Sequence, residues 1–476
     1  MARINTNVSA LAAQRGLAKS QKTLNETLER LSSGLRINRG ADDPAGLIAS
    51  EGLRSEIAGI HQAIDNSSRA SNVISTAEAS LSEVASLLLN VKELVVEAAN
   101  TGALSPDEIQ ANQLQIDSAI ESITRISNTT TFAGLHLLNG NLDYVTSGVN
   151  SSQIKALHVS QANFGTASTL PVQVQIVSTA KQAALQFRTS TLTSAATLEI
   201  NGTEGPVVLT FASGTHASAI AANINSFSDS TGVTVGLINS ANAASGIVFQ
   251  SATYGSKSFV SIRALSGTFN TVDTTGATKT RTVGADAVAT VNGAVTVGDG
   301  LNLRLNTTTL DLELTLDKTF VAGTSSFTLT GGGAKFQLGP QVTSNQQVSL
   351  GIQSVAGSKL GDDDVGFLSD IVTGGVNSLV NGGTATASKI VERAINQVAV
   401  LRGKLGAFEK NALETNISSL SIALENVTAS ESSIRDADFA EETSALTRAQ
   451  ILTQAGTSVL ATANTTPQSV LSLLRQ

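Results

Sequence analysis

Between residues 70 and 100 the chain carries the pattern that constrains it most. Ile74, Leu81, Leu88 and Val95 recur every seven residues, and Ala77, Val84, Val91 and Ala98 recur at a second position of the same repeat. Apolar side chains on a seven-residue period form one narrow stripe along an α-helix and specify a coiled coil. Alanine at the second position lets a partner helix approach closely. Upstream, Asp43 and Pro44 make an N-cap and a first-turn proline, where the missing N–H has no helical partner to lose. These signals predict a helix from Pro44 to about Asn100, roughly 85 Å long at about 1.5 Å per residue. Usual globular helices run about 8 to 20 residues, so a rod is expected.

The rod has neighbours in sequence. After "NTGA", the stretch "SPDE" at Ser105–Glu108 is a capping box with proline at N1. Ile109, Ile116 and Ile123 continue the seven-residue period, which predicts a helix folding back along the first. Near the other end, after "NGG" at Asn381–Gly383, Ile390, Ala394, Val398, Leu401, Leu405 and Phe408 fall on one helical face. A five-residue step to Leu413 shifts the phase before Ile417, Leu420, Leu424 and Val427 resume it.

From about Leu142 to Leu350 the helical period disappears. Leu310, Leu312, Leu314 and Leu316 alternate strictly, as do Leu301, Leu303 and Leu305, the pattern of half-buried strands. One short helix, "HASAIAANINSF" at His216–Phe227, lies between the strand candidates "PVVLTF" and "GVTVGL". The fold class expected is α+β: a long coiled-coil rod built from the two terminal regions, with a strand-rich central insertion at its outer tip. The expected segments are 1–43 and 436–476 as paired terminal helices, 44–145 and 351–435 as rod, and 146–350 as strand-rich.

Both ends of the polypeptide remain apolar at helical spacing, where most domains turn polar. At the start the positions are Ile4, Val8, Leu11, Leu17, Leu24, Leu28, Leu31 and Leu35. At the finish they are Leu446, Leu452, Val459, Val470 and Leu473, with Pro467 expected to kink or interrupt the helix. Two thin helices paired only with each other bury little against the backbone entropy of ordering them. The tails are therefore expected to be disordered alone and to fold on assembly, the leucines facing neighbouring subunits. Head-to-tail contacts that do not close into a ring generate a helical filament. Amphipathic terminal helices belonging to an ordinary monomeric bundle would show the same pattern.

Composition excludes several functions. With a net charge of −8, pI near 5.2 and no run of like charges, there is no electrostatic footprint for nucleic acid or anionic membrane. No stretch reaches about 18 continuous apolar residues, so no bilayer-spanning helix is expected. Met1–Leu11 lacks the basic and continuously apolar regions of a secretory signal, so export by the general secretory route is not expected. Cysteine is absent, which removes disulfides, thiol nucleophiles and thiolate metal sites. His61, His136, His158 and His216 are dispersed with no H-E-x-x-H, and "GDDDVG" at Gly361–Gly366 lacks the alternating ligands of a calcium loop. No enzyme activity, cofactor or metal is expected.

The segments "INTNVSALAAQ", "LSSGLRINRGADDPAG" and "LLNG", with "SIRDADFAEE", "RAQILTQAGTSVLATAN" and "VLSLL", closely resemble bacterial flagellin over about residues 1–145 and 385–476. The middle stretch "LEINGTEGPVVLTF" followed by "INSFSDSTGVTVGL" looks like the IN motif of flagellins and some hook-associated proteins. The resemblance implies an extracellular, self-assembling subunit of the flagellar filament, exported unfolded through the flagellar type III apparatus. It implies assembly contacts at Ile4, Val8, Leu11, Leu24, Leu28, Leu31, Leu35, Leu446, Leu452, Val459, Val470 and Leu473. It also implies a connecting spoke at Arg36, Asn38, Asp42, Asp43, Pro44, Ile434, Asp436 and Phe439.

The partners implied are other copies of the chain, hook-associated junction and cap proteins, and an export chaperone on the C-terminal segment. "LNVKELVV" at Leu89–Val96 is similar to the rod-helix pattern "QRVRELAV" of flagellins detected by a Toll-like receptor. Leu89, Asn90, Lys92, Glu93, Leu94 and Gln115 are the contact candidates there. Asn90 stands where that pattern has arginine, which implies weak binding. The nearest alternative is a hook-filament junction protein with similar termini; a surface adhesin is a third class.

Overall fold

The protein is described from a computed structural model covering residues 6–240, 242 and 245–473, with side chains through 465 in the last helix. Its helices are α1 (Val8–Ser33), α2 (Pro44–Ala98), α3 (Pro106–Thr129), α4 (Ala217–Asn225), α5 (Ser228–Thr231), α6 (Thr384–Phe408), α7 (Thr415–Arg435) and α8 (Phe439–Leu473). The chain divides into two compact units. One comprises 1–69, 337–342 and 410–476; the other comprises 70–336 and 343–409. The 55-residue α2 gives its first half to one unit and its second half to the other.

In the first unit α1 pairs with α8 along their lengths. Asn7 begins α1 as its N-cap, accepting from the Ala10 N–H at 3.0 Å, and its Nδ2 donates to the Ala463 carbonyl at 2.8 Å. Near the other end Arg30 and Glu442 form an ion pair at 3.2 Å. In the described residues of both tails the chain is helical, and the two helices are paired with each other. Pro467 does not interrupt α8, which runs to Leu473.

The same unit holds a short strap, residues 337–342, that nothing in the sequence period announces. Leu338 is buried, its carbonyl accepting from Asn416 Nδ2 at 2.8 Å, and Asn416 also donates to Ser67 Oγ on α2 at 3.1 Å. Pro340 lies so close to α2 that a Cβ on Gly59 would sit 3.0 Å from the proline Cβ. Glycine is the residue that permits this approach.

In the second unit the seven-residue seam is fully buried. Ile74, Ala77, Leu81, Val84, Leu88, Val91 and Ala98 have no exposed surface, and Ile116 and Ile123 of α3 and Ile390, Ala394 and Leu405 of α6 share that burial. Ser105 opens α3 with a reciprocal capping box to Glu108, as the sequence predicts. Polar ties hold α6 to α2: Arg402 pairs with Glu78 at 2.6 Å, and Glu409 accepts from the hydroxyls of Ser71 and Ser75. At Glu409–Glu414, where the chain leaves this unit for the first, it makes a π-helical turn that absorbs the five-residue step from Phe408 to Leu413, and Leu413 is buried. An i→i+5 turn adds one residue per turn, which is what that step requires.

The strand-rich region of this unit contains two cores, one nested in the other. The outer-sequence core lies between two antiparallel sheets. One orders Ala294–Val295, Val288–Val291, Leu170–Ser178, Gly323–Gly332 and Tyr144–Ser147. The other orders Val297–Asp299, Asn302–Asn306, Leu310–Leu316 and Ile154–Ala162. Leu310, Leu312, Leu314 and Leu316 all point into this core, as their alternation predicts.

The inserted core holds the sheet Gln182–Phe187, Ile247–Tyr254, Val233–Leu237 and the sheet Arg281–Val283, Phe259–Ser266, Ala196–Asn201, Pro206–Phe211. Ile220 and Ile224 of α4 pack into it. The predicted single helix here is α4, followed by the one-turn α5. Where the chain enters and leaves the insertion, Lys181 and Ala285 exchange backbone hydrogen bonds at 2.8 and 2.9 Å.

Candidate assembly surface

The α1/α8 pair has an inner seam and outer faces, and the sequence pattern did not separate them. On α1 the positions turned inward are Ala10, Ala13, Leu17, Ser20, Leu24, Thr27 and Leu31, in alternating steps of three and four. On α8 they include Ala445, Leu446, Ala449, Thr453, Gly456, Leu460 and Ala463. Small residues on α8 receive the leucines of α1: a Cβ on Gly456 would sit 3.3 Å from Leu17 Cδ1. Of the candidate contacts, Leu24, Leu31, Leu35 and Leu446 are therefore half-buried within the chain.

The others face outward. Val8 is 62% exposed, Leu11 52%, Leu452 51% and Val459 58%, and Leu28 and Phe439 are exposed too. Ile451, absent from the candidate set, is also exposed; its place beside Leu452 was the signal available. Ile4 lies outside the described residues, as do the side chains of Val470 and Leu473. A helical pair whose own seam is filled still presents apolar residues outward on both members, an arrangement expected of surfaces that associate.

The spoke candidates are brought together by a two-strand crossing. Gly34, at φ +72°, ends α1 in the left-handed conformation that glycine adopts most readily. Leu35 and Asp436 then form an antiparallel bridge, with the Arg36 N–H donating to Arg435 O at 2.7 Å and the Ala437 N–H to Gly34 O at 2.9 Å. The Arg36 guanidinium donates to the Ile434 carbonyl, Nε at 3.2 Å.

Asp42 accepts from the N–H groups of Arg39 at 2.8 Å and Asn38 at 3.1 Å; the Arg39 bond is the main reason its carboxyl stays below the usual range. Asp43 caps α2 by accepting from the Gly46 N–H at 2.9 Å, with Pro44 as the first helical residue. Glu51 receives Arg435 at 2.8 Å and Arg54 at 2.9 Å; Arg435 foremost lowers its pKa. Ile37 is buried beneath these polar ties.

The receptor candidates divide by exposure. Leu89, Asn90 and Glu93 of α2 and Gln115 of α3 are exposed, as are Val96 and Leu114. Leu94 is only 8% exposed and belongs to the interior. Lys92 is held by α6, donating to Ser388 Oγ at 2.7 Å and pairing with Glu392.

Comparison with known proteins matches these regions. The family described as Bacterial flagellin N-terminal helical region matches residues 4–143, Bacterial flagellin C-terminal helical region matches 388–474, and Flagellin hook IN motif matches 197–253. A flagellin of Salmonella typhimurium is 30% identical over 99% of both chains. The chain belongs to the flagellin family. Flagellin A of Vibrio cholerae is 29% identical, again over 99% of both chains.

A solved structure of the flagellar cap protein from Escherichia coli is 18% identical, covering 46% of this chain and 64% of that one, with a TM-score of 0.29. That likeness is too weak to bear on the arrangement here. As a flagellin, the chain is a structural subunit of the extracellular flagellar filament. Among the described residues, no helix is long and apolar enough to cross a membrane, and no cluster of His, Asp and Glu is arranged to hold a metal.

Proposed function

We propose that this flagellin polymerises through the outward faces of α1 and α8, with Val8, Leu11, Leu28, Leu452 and Val459 meeting neighbouring copies. The observation that carries the reading is the exposure of these side chains on a helical pair whose inner seam is already occupied. In this reading residues 1–43 and 436–476 form the inner core of the filament. Residues 44–145 and 351–435 form the surrounding wall, and 146–350 project outward. The spoke residues Arg36, Asn38, Asp42, Asp43, Pro44, Ile434, Asp436 and Phe439 fix how the core joins the wall. The role is structural, not catalytic. Junction and cap proteins contact the ends of the polymer, and an export chaperone takes the C-terminal segment before secretion.

Toll-like receptor binding through Leu89, Asn90, Glu93 and Gln115 is weak, because Asn90 lacks a guanidinium and Lys92 is already paired. Likeness to flagellins over the whole chain favours a filament subunit above a hook-filament junction protein.

The test is seeded polymerisation of Leu11→Lys and Val459→Lys beside the parent. A buried lysine without a partner is strongly disfavoured, so each is expected to raise the critical concentration at least about tenfold while leaving helicity by circular dichroism unchanged. Variants that polymerise like the parent would place the contacts elsewhere.

A further inference from the structure

Between α6 and the strands Ile154–Ala162 and Leu310–Leu316 lies a cleft of about 140 Å³ lined by His158, Glu313, Arg393, Asn396 and Lys404. His158 and Glu313 are register partners on adjacent strands, so both side chains stand on the sheet face that meets α6. Arg393 and Lys404 are separated by about three helical turns and project from the same side. Lys404 Nζ donates to Oγ of buried Ser160 at 2.9 Å and stands 3.8 Å from Glu313. Arg393 Nε reaches Asp362 at 2.7 Å. Among the described residues, neither the Nη groups of Arg393 nor the imidazole of His158 has a hydrogen-bond partner.

The charges around the cleft balance while His158 is neutral: Arg393 and Lys404 against Glu313 and Asp362. Other charged groups on the same elements, Asp311 apart, are paired elsewhere. Lys155 pairs with Asp364, Lys389 with Asp229, and Arg402 with Glu78. Asp311 lies two positions along from Glu313 on its strand, opposite Gln161, and does not line the cleft. Burial holds His158 below its usual range; Glu313 opposes this, and Lys404 and Arg393 add to it. A proton on His158 would leave one uncompensated positive charge in a half-buried space, beside unused guanidinium donors and the Asn396 amide. An anion answers that charge.

We propose that this cleft binds a small oxyanion, phosphate or a short carboxylate, together with one proton on His158. Nη of Arg393, the Asn396 amide, the imidazolium and Lys404 supply the donors, and Glu313 is left to Lys404. Binding and protonation are linked: the anion raises the affinity of His158 for its proton, and the proton raises the affinity for the anion by the same factor.

The test follows the imidazole signals of the full chain by NMR across pH, at fixed ionic strength, with inorganic phosphate, acetate or chloride added. Phosphate or acetate is expected to raise the His158 midpoint saturably by about one pH unit, a tenfold preference for the protonated form. Exposed His61 and His216 are expected not to follow. Lys404→Gln and Arg393→Gln are each expected to remove the shift; if one fails to fold, the other decides. A saturable shift with only one of the two anions supports the site and fixes its source. An equal shift with chloride, no shift, or a shift that survives both substitutions overturns the proposal.

Discussion

His158 sits half-buried on a strand that α6 covers, and the cost of desolvating an imidazolium there makes the folded chain resist its protonation. In the unfolded chain a histidine takes up its proton near pH 6.5. The sign follows. Above about pH 7 both states are neutral at this residue and stability does not depend on it. As pH falls through the unfolded value the unfolded state binds the extra proton, and stability declines until the folded value is passed. The slope cannot exceed about 1.4 kcal/mol per pH unit for one proton.

Denaturant unfolding of the monomer in a buffer free of phosphate and carboxylate, between pH 7.5 and 5.5, is therefore expected to show falling stability. His158→Gln is expected to flatten that slope. A variant with the parent's slope would assign the loss to another group. In the sequence His158 was one of four scattered histidines. Its environment comes from Arg393 and Lys404, more than 200 positions away, and no local pattern carries such a pairing.

The helical elements were legible because their signals are local. Asp43 and Pro44 start α2, the Ser105 capping box starts α3, and the five-residue step from Phe408 to Leu413 marked the place where the chain inserts a π turn. That turn has a testable consequence. Deleting exposed Lys410 makes the step from Phe408 to Leu413 four residues, which an ordinary α-helix accommodates with both on one face. The melting temperature is expected to change by less than about 2 °C, within the range of a sub-kilocalorie effect. Inserting an alanine at the same place makes the step six residues, turns one half by about 100° and exposes either Leu405 or Leu413. Its melting temperature is expected to fall several-fold further, and equal melting of the two variants would show that the π turn does not carry the phase.

What stayed hidden at this scale was orientation. The terminal leucines are all apolar and all near helical spacing. Which of them fill the inner seam depends on the small residues of α8, notably Ala449 and Gly456. The strap at 337–342 carries no period at all, and its position is set by the gap that Gly59 leaves on α2.

At the scale of the whole molecule, the nesting of one strand-rich core inside another could not be read from alternation. Alternation tells which face of a strand is buried and not which strand it pairs with. Leu170–Ser178 finds its neighbour at Val288–Val291 only after the entire inserted core has been traversed. The two crossings of that boundary lie side by side, since Lys181 and Ala285 exchange both backbone hydrogen bonds. Asp286 reinforces the place, accepting from the Ser256 hydroxyl at 2.5 Å and the N–H groups of Gly300 and Ser256 at 2.8 and 2.9 Å. The Ser256 hydroxyl foremost keeps its carboxyl below the usual range.

Ends this close can be joined without displacing either flanking strand. Residues 182–284 are therefore expected to be removable by a short Gly-Ser link, leaving the sheets around Leu312 and Phe327 and the helical seams intact. The shortened chain is expected to retain its helical dichroism and to polymerise on seeds within about twofold of the parent's critical concentration, because the outward residues of α1 and α8 are untouched. Loss of polymerisation by a shortened chain that still folds would mean that the inserted core takes part in contacts between subunits, and the terminal helices alone would no longer account for assembly.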